Sequence, residues 1–446
     1  MSGAAGSLSR RQDRLAPALS LTDATLLVVS SVIGSGIFLT PGSVAALLPR
    51  PGLFLAAWLV GGLLSLAGAL TNAELGAMYP HAGGDYVYLR EGYGEVAGFL
   101  IGWLSFFVIY AGTIATLAAA FAEGVTAGTQ VGEAGTIGIA IGVTVAASAI
   151  NYVGVRPSAV VNNVGAWAKV IVLGALVIAV PLTGRGDLGH FRPFAGTTAE
   201  IPWSSFGLAL SPVLFTYLGW NAPVYVASEL HQPTRNLPRS LFLGLGICTA
   251  VYLAVDAIYV YALGVTALGR ASNAGIAAAE VLLGAGTSGM ASTFILVSIL
   301  GTLHATILVG PRIAYAMAID RLFFAGADRV HELHQTPHRA IVVQAIVAIG
   351  LLVVLRRFPS VLDYTTFAIV LATMADTAVL YRLRRCQPAR PRPYRAWGYP
   401  LVPAVYLVAN AGIAAVLCLG RPLECAIGIA VVAAGMPFYW ILARRR

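Results

Sequence analysis

Apolar blocks of about 20 residues, parted by short segments rich in Gly, Pro and Arg, recur along the whole chain. That is the length a helix needs to cross roughly 30 Å of hydrocarbon. Of the 446 residues, 58% are hydrophobic and only 11% charged, against about 25% charged in a soluble domain. The chain therefore reads as an all-α integral membrane protein. The short alternating strands of a transmembrane barrel are not seen. About twelve transmembrane helices are predicted, at 22–48, 52–78, 91–123, 134–153, 157–182, 202–229, 239–264, 285–319, 340–356, 359–382, 400–419 and 423–442. The loops leave no room for a soluble domain, and no cleavable signal peptide is read at the polar N-terminus.

Arginine placement sets the expected orientation. Arg10, Arg11 and Arg14, then Arg235 and Arg239, then Arg321, Arg329 and Arg339 fall on one side. Arg382, Arg384, Arg385, Arg390, Arg392 and Arg395 join them, with the tail Arg444-Arg445-Arg446. The other side has fewer, among them Arg50, Arg185, Arg192 and Arg270. Both termini are thus expected in the cytoplasm. The net charge of +9 is read as a topology signal, with no nucleic-acid partner, because there is no basic domain to bind one. Cys248, Cys386, Cys418 and Cys425 lack CxxC spacing and read as packing residues.

Two spans interrupt themselves. In the first, Val32-Ile33-Gly34-Ser35-Gly36-Ile37 places two glycines in mid-helix, each costing about 1 kcal/mol relative to Ala. In the sixth, Phe215-Thr216-Tyr217-Leu218-Gly219-Trp220-Asn221-Ala222-Pro223 does the same. Spans five apart cross in opposite directions. Paired interruptions in two inverted halves are the best sequence pointer to a transporter's binding site. The outer half of the first span, starting at Ser35-Gly36-Ile37, offers unpaired N–H groups suited to a carboxylate. The inner half, ending at Val32-Ile33, offers carbonyls suited to an ammonium. A zwitterion fits. The plainer reading is a glycine-rich helix contact, which the second break disfavours. Phe215, Tyr217 and Trp220 are candidate gate aromatics.

Lys169 is the only lysine and lies midway along the fifth predicted span, too deep to snorkel. It is either a proton carrier or a structural ammonium bonded to helix-end carbonyls. Asp256, Glu74, Asp363 and Asp376 are further intramembrane carboxyl candidates, with Asp256 the most central. For Asp256 the first reading is a protonated or hydrogen-bonded structural carboxyl, with proton relay as the alternative. His304 is read as a packing residue. His331-Glu332-Leu333-His334 and His338 lack the HExxH spacing that sets two imidazoles on one helical face, so no metal site is expected. There is no P-loop, nucleotide fingerprint or nucleophile elbow, and neither a cofactor nor an enzymatic activity is predicted.

Several motifs in order resemble the amino acid–polyamine–organocation (APC) superfamily of permeases, with bacterial members of its L-amino acid transporter branch the nearest likeness. They are Gly34-Ser35-Gly36-Ile37-Phe38, Ala73-Glu74-Leu75-Gly76-Ala77-Met78-Tyr79-Pro80 and Gly83-Gly84-Asp85-Tyr86, followed by Phe215 through Asn221. Asn236-Leu237-Pro238-Arg239 and Gly310-Pro311-Arg312-Ile313-Ala314-Tyr315-Ala316-Met317 complete the series. The resemblance implies a LeuT-type inverted five-plus-five repeat with broken helices one and six. That gives a tail at 1–20, a first repeat at 21–183, a second at 184–384, and two further spans with a basic tail at 385–446. It implies that Ser35, Gly36 and the N–H of Ile37 meet a substrate carboxylate. The carbonyls of Val32, Phe215 and Leu218 would meet its ammonium, with Phe215 closing over it and Asn221 just past the second break. Lys169 would replace the sodium of sodium-coupled relatives. Two departures are Leu218, where a small residue is common, and His304, where asparagine is common.

The function expected is secondary transport of neutral L-amino acids, by exchange or proton coupling and independent of sodium, in the plasma membrane of a bacterium. The chain would act in the lipid bilayer as a monomer or homodimer. Open alternatives are a carrier of cationic amino acids or polyamines and an amino acid sensor that does not transport.

Overall fold

The computed structural model describes residues 14–194, 203–284, 286–355, 358–420 and 422–444, with side chains left undescribed at 203, 355–366, 420 and 423–424. Arg10, Arg11, Arg445, Arg446 and the side chain of Asp363 lie outside the described residues.

Among the described residues the fold is all-helical. The first apolar block forms α1 (Leu21–Val32) and α2 (Gly36–Leu47), bent by 50° across residues 33–35. A capping box starts α1: Ser20 Oγ accepts from the Asp23 N–H at 3.2 Å, and the Asp23 carboxylate accepts from the Ser20 N–H at 2.7 Å. The long helix α3 (Pro51–Met78) follows, then the short α4 (Asp85–Tyr93). The third span is α5 (Glu95–Leu104) and α6 (Ala111–Thr126), joined by a π-helical stretch, Ser105–Tyr110. Next come α7 (Glu133–Val153) and α8 (Val155–Thr183).

The second half opens with α9 (Trp203–Thr216), which breaks before the one-turn α10 (Ala222–Tyr225). It continues with α11 (Pro233–Leu268), α12 (Ala274–Leu283), α13 (Ser288–Val309) and α14 (Pro311–Ile319). The last four helices are α15 (His338–Leu355), α16 (Phe358–Cys386), α17 (Leu401–Gly420) and α18 (Pro422–Ala443).

Eight of the described helices or continuous helix pairs are long and apolar enough to cross a membrane, and the bent α1–α2 pair makes a ninth. That count covers the fully described residues alone; α9 has 14 residues before its break, and α15 and α16, of 18 and 29 residues, are counted without 355–366. The sequence reading took residues between α11 and α13 as loop, whereas ten of them form α12. The Asn273 side chain caps α12 by accepting from the Ile276 N–H at 3.0 Å.

The chain is a multi-pass membrane protein, and its outer surface is turned inside out relative to a soluble one. On α8, Val160, Val164, Trp167, Ile171 and Ile178 are 51–71% exposed. Their spacing of three, four and seven draws one helical stripe suited to lipid. The opposite face of α8 buries Ser158, Asn162 and Lys169. The core that holds the breaks is built by α1 packing on α8, α11 and α13, and by α2 packing on α9, α11 and α12.

Candidate functional site

The two breaks meet. A Cβ on Gly36 would lie 2.8 Å from Thr216 Cγ2, so only glycine lets α2 approach the end of α9 this closely. At the other break Gly219 has φ +100°, and an added Cβ would sit 2.9 Å from the Ser31 carbonyl oxygen. Thr40 Oγ1 and Thr216 Oγ1 are hydrogen-bonded at 2.8 Å. Tyr252 of α11 ties the breaks together, its hydroxyl 2.8 Å from the Val32 carbonyl and 3.0 Å from that of Thr216.

A cavity of about 100 Å³ lies at this junction. Ser31, Val32, Gly34, Ser35 and Gly36 form one wall, and Phe215, Thr216 and Leu218 form another. Thr113, Thr116 and Leu117 of α6, Thr302 of α13 and Ile369 of α16 close it. None of these residues is charged. The N–H groups of Ser35, Gly36 and Ile37 begin α2, where a helix has no acceptors of its own for its first turn. A second cavity of about 100 Å³ continues from the first, sharing Ser31, Thr113, Leu218, Thr302 and Ile369. It reaches Asp85, Tyr110, Asn221, Tyr225, Thr306 and Thr373.

Of the residues singled out from sequence, Val32, Gly34, Ser35, Gly36, Phe215 and Leu218 therefore line one space, and Asn221 lines its extension, its amide donating to the Tyr225 hydroxyl at 3.3 Å. Ile33 and Ile37 are fully buried behind the wall. The Val32 carbonyl already accepts from Tyr252 and from the Gly34 N–H at 2.9 Å, which occupies both its lone pairs. The Phe215 carbonyl accepts from the Leu218 N–H at 3.1 Å.

Two gate aromatics need correction. Tyr217 turns toward α3, its hydroxyl donating to the Trp58 carbonyl at 3.2 Å and its ring tilted on Trp58. Trp220 is 3% exposed and packs toward Gly68 of α3. Of the three aromatics, only Phe215 faces the cavity at the breaks.

Lys169 sits behind the first break. Its Nζ donates to the Ser30 carbonyl at 3.0 Å, the Ile33 carbonyl at 2.6 Å and Thr302 Oγ1 at 3.1 Å. Three acceptors match the three N–H bonds of an ammonium. Thr302 and Ser298 hydroxyls donate to the same carbonyls, at 2.9 Å to Ser30 and 3.2 Å to Ile33. The ammonium thus clamps α1 to α13 from α8, where the freed carbonyls of the broken helix gather.

The carboxyl candidates separate. Glu74 is a structural anion, accepting from Arg384 Nε at 3.0 Å and Nη2 at 2.5 Å and from the Ala396 N–H at 2.7 Å. Asp256 and Asp376 are buried, and neither has a hydrogen-bond donor on its oxygens among the described residues. His304 packs away from both cavities against α7 and α8, next to Asn151 at 3.3 Å and Ser158 at 3.1 Å. The loop histidines pack around Tyr152, and no metal-holding group of three or more His, Cys, Asp or Glu occurs among the described residues. Burial, with His331 and Arg339 nearby, holds His338 below the usual histidine range.

Sequence reasoning missed Thr113, Thr116, Thr302, Ile369 and Tyr252. Hydroxyls in apolar helices were the available signal, but many other threonines carry it too.

The family model described as amino acid permease matches residues 19–438. The chain is 30% identical over 436 residues to the serine/threonine exchanger SteT of Bacillus subtilis (strain 168), covering 96% of this chain and 97% of that one. It is 28% identical over 431 residues to the large neutral amino acids transporter small subunit 2 of Homo sapiens, covering 95% and 80%. To the Asc-type amino acid transporter 1 of Mus musculus it is 27% identical over 440 residues, again covering 95% and 80%.

Proposed function

The chain belongs to the amino acid permease family, and from that premise we propose that it is a sodium-independent exchanger of small neutral L-amino acids working by alternating access. The observation that carries the proposal is the junction of the two breaks around an uncharged cavity of about 100 Å³. Pockets for drug-sized ligands run about 300–1,000 Å³, so this one suits a compact zwitterion. An uncharged wall favours a neutral side chain over a cationic one. The names of the relatives, an exchanger of serine and threonine and transporters of neutral amino acids, agree with that reading.

In this account the α-carboxylate binds at the start of α2, to Ser35 and the N–H groups of Gly36 and Ile37, where the helix dipole favours an anion. The ammonium meets the carbonyls of Phe215 and Leu218, with Val32 contributing less because Tyr252 and Gly34 already occupy its carbonyl. Gly34 provides backbone clearance, Ile33 is held by Lys169, and Phe215 closes over the ligand. Lys169 supplies the positive charge that a sodium ion supplies in sodium-coupled relatives. The repeats run 21–183 and 184–384 in an inverted LeuT-type arrangement of twelve spans in all, with the last two at 385–446. Both termini face the cytoplasm of a bacterium, as the arginines suggest.

Binding is tested by ligand-induced thermal shift with the purified protein. Serine, threonine and alanine are expected to raise Tm, with a smaller rise in Phe215→Ala. No shift with any common amino acid would contradict the assigned site.

A further inference from the structure

The second cavity reaches a carboxylate that the substrate reading does not use. Asp85, at the start of α4, is fully buried, and its Oδ2 accepts from the Tyr225 hydroxyl of α10 at 2.5 Å. Its side chain faces that of Asp376 on α16, which is 1% exposed. Asp85 Oδ1, both Asp376 oxygens and the adjacent Asn72 Oδ1 find no donor among the described residues. Three buried carboxylate oxygens thus lie together with no cation, and the Asn72 amide and the Tyr88 hydroxyl are the neutral groups beside them. Two facing carboxylates cannot hydrogen-bond each other unless one of them carries a proton.

The surrounding elements add no cation. Asn72 of α3, Tyr88 of α4, Tyr110 before α6, Tyr225 of α10 and Tyr406 of α17 are the polar and titratable groups facing the pair. No Lys, Arg or His among the described residues faces it. Of the arginines on α16, Arg382 donates to the Gly92 carbonyl and Arg384 is bound to Glu74. Glu74 and Glu229 have arginine partners at 2.5 Å and 2.7 Å, which makes the unpaired state of Asp85 and Asp376 a local exception.

We propose that Asp85 and Asp376 form a proton-binding site at the second cavity, and that its proton holds α4, α10 and α16 together as a gate on it. On binding, the proton bonds to one carboxylate oxygen and is shared with the facing carboxyl, which draws α4 onto α16. On release, it passes to water in the cavity lined by Asn221 and Tyr225. The two like charges then repel, and α4 loosens from α16 and from Tyr225. The proton thereby biases the gate. That link to transport rests on the substrate cavity proposed above, whereas the proton site itself does not.

The test uses the full chain in lipid, stepped between about pH 5 and about pH 8. Infrared difference spectra should contain a carboxylic acid band that depends on pH. The near-isosteric Asp376→Asn should remove it, as should Asp85→Asn, with thermal unfolding confirming that each variant is folded. In sodium-free proteoliposomes, exchange by the parent protein should vary with pH and that by Asp376→Asn should not.

A band surviving in both variants, or absent from the parent, overturns the assignment. So does a band that responds to sodium at fixed pH, or lysine uptake that is lost in Asp85→Asn, since the carboxyls would then serve another cation. If the band is lost as expected but the parent moves no amino acid at any pH, the proton site stands and the transport reading fails.

Discussion

Lys169 has its three N–H bonds satisfied by the Ser30 and Ile33 carbonyls and Thr302 Oγ1. Removing it leaves the hydroxyls of Thr302 and Ser298 on those carbonyls, so the loss is partial. An unsatisfied buried acceptor costs about 1–3 kcal/mol. Lys169→Ala is therefore expected to insert and fold with a stability loss in that range, while exchange falls sharply because the first break loses its clamp. Thermal unfolding and labelled uptake measure the two effects separately, and unchanged uptake would remove the role given to Lys169. Leu218 sets a different property. It lines both cavities, and Leu218→Ala should shift preference from serine toward larger neutral side chains, read as relative KM. The Gly34-Ser35-Gly36 interruption and the solitary lysine were legible because each breaks a local rule. Thr302 and Ile369 were not, since what joins them to the break is a long-range approach that no local pattern encodes.

At the scale of elements, the bend between α1 and α2 and the break after α9 were both legible from paired Gly-rich interruptions. How they are joined was not. Tyr252 sits on α11, 220 residues from Val32 and 36 from Thr216, and in sequence it is one tyrosine among many. Tyr252→Phe removes the hydroxyl that ties the breaks while keeping its ring near Trp58 and Tyr217, at centroid distances of 5.7 and 5.0 Å. The variant should fold and show a weaker thermal shift with serine; an unaltered shift would mean that the breaks keep their relation without it. Tyr217 and Trp220 illustrate the limit of a linear reading. Residues adjacent along a non-helical turn point in different directions, so only Phe215 of the three aromatics reaches the cavity.

For the whole molecule, the arginine bias and the apolar blocks were enough to read a multi-pass membrane protein. The same arginines have a second role that the sequence hid. Arg312 grips Glu229 through Nε at 2.7 Å and Nη2 at 3.0 Å, both side chains buried, across 83 residues. Arg384 grips Glu74 across 310. Breaking a buried pair by removing one partner costs about 3–5 kcal/mol, so the fully buried Arg312–Glu229 pair braces α14 against the turn after α10, while Arg384–Glu74 ties α16 to α3. Their pairing was illegible because it depends on which helices become neighbours. That brace, the clamp at Lys169 and the meeting of the two breaks all serve one claim, that the chain carries small neutral amino acids across a bilayer in exchange for one another. The direct measurement is counterflow in proteoliposomes holding the purified protein and no sodium. Labelled serine outside should accumulate when the lumen is loaded with serine or threonine, and much less when it is empty. Equal labelling of loaded and empty vesicles, with protein shown to be folded, would contradict exchange; no labelling of either would contradict transport itself.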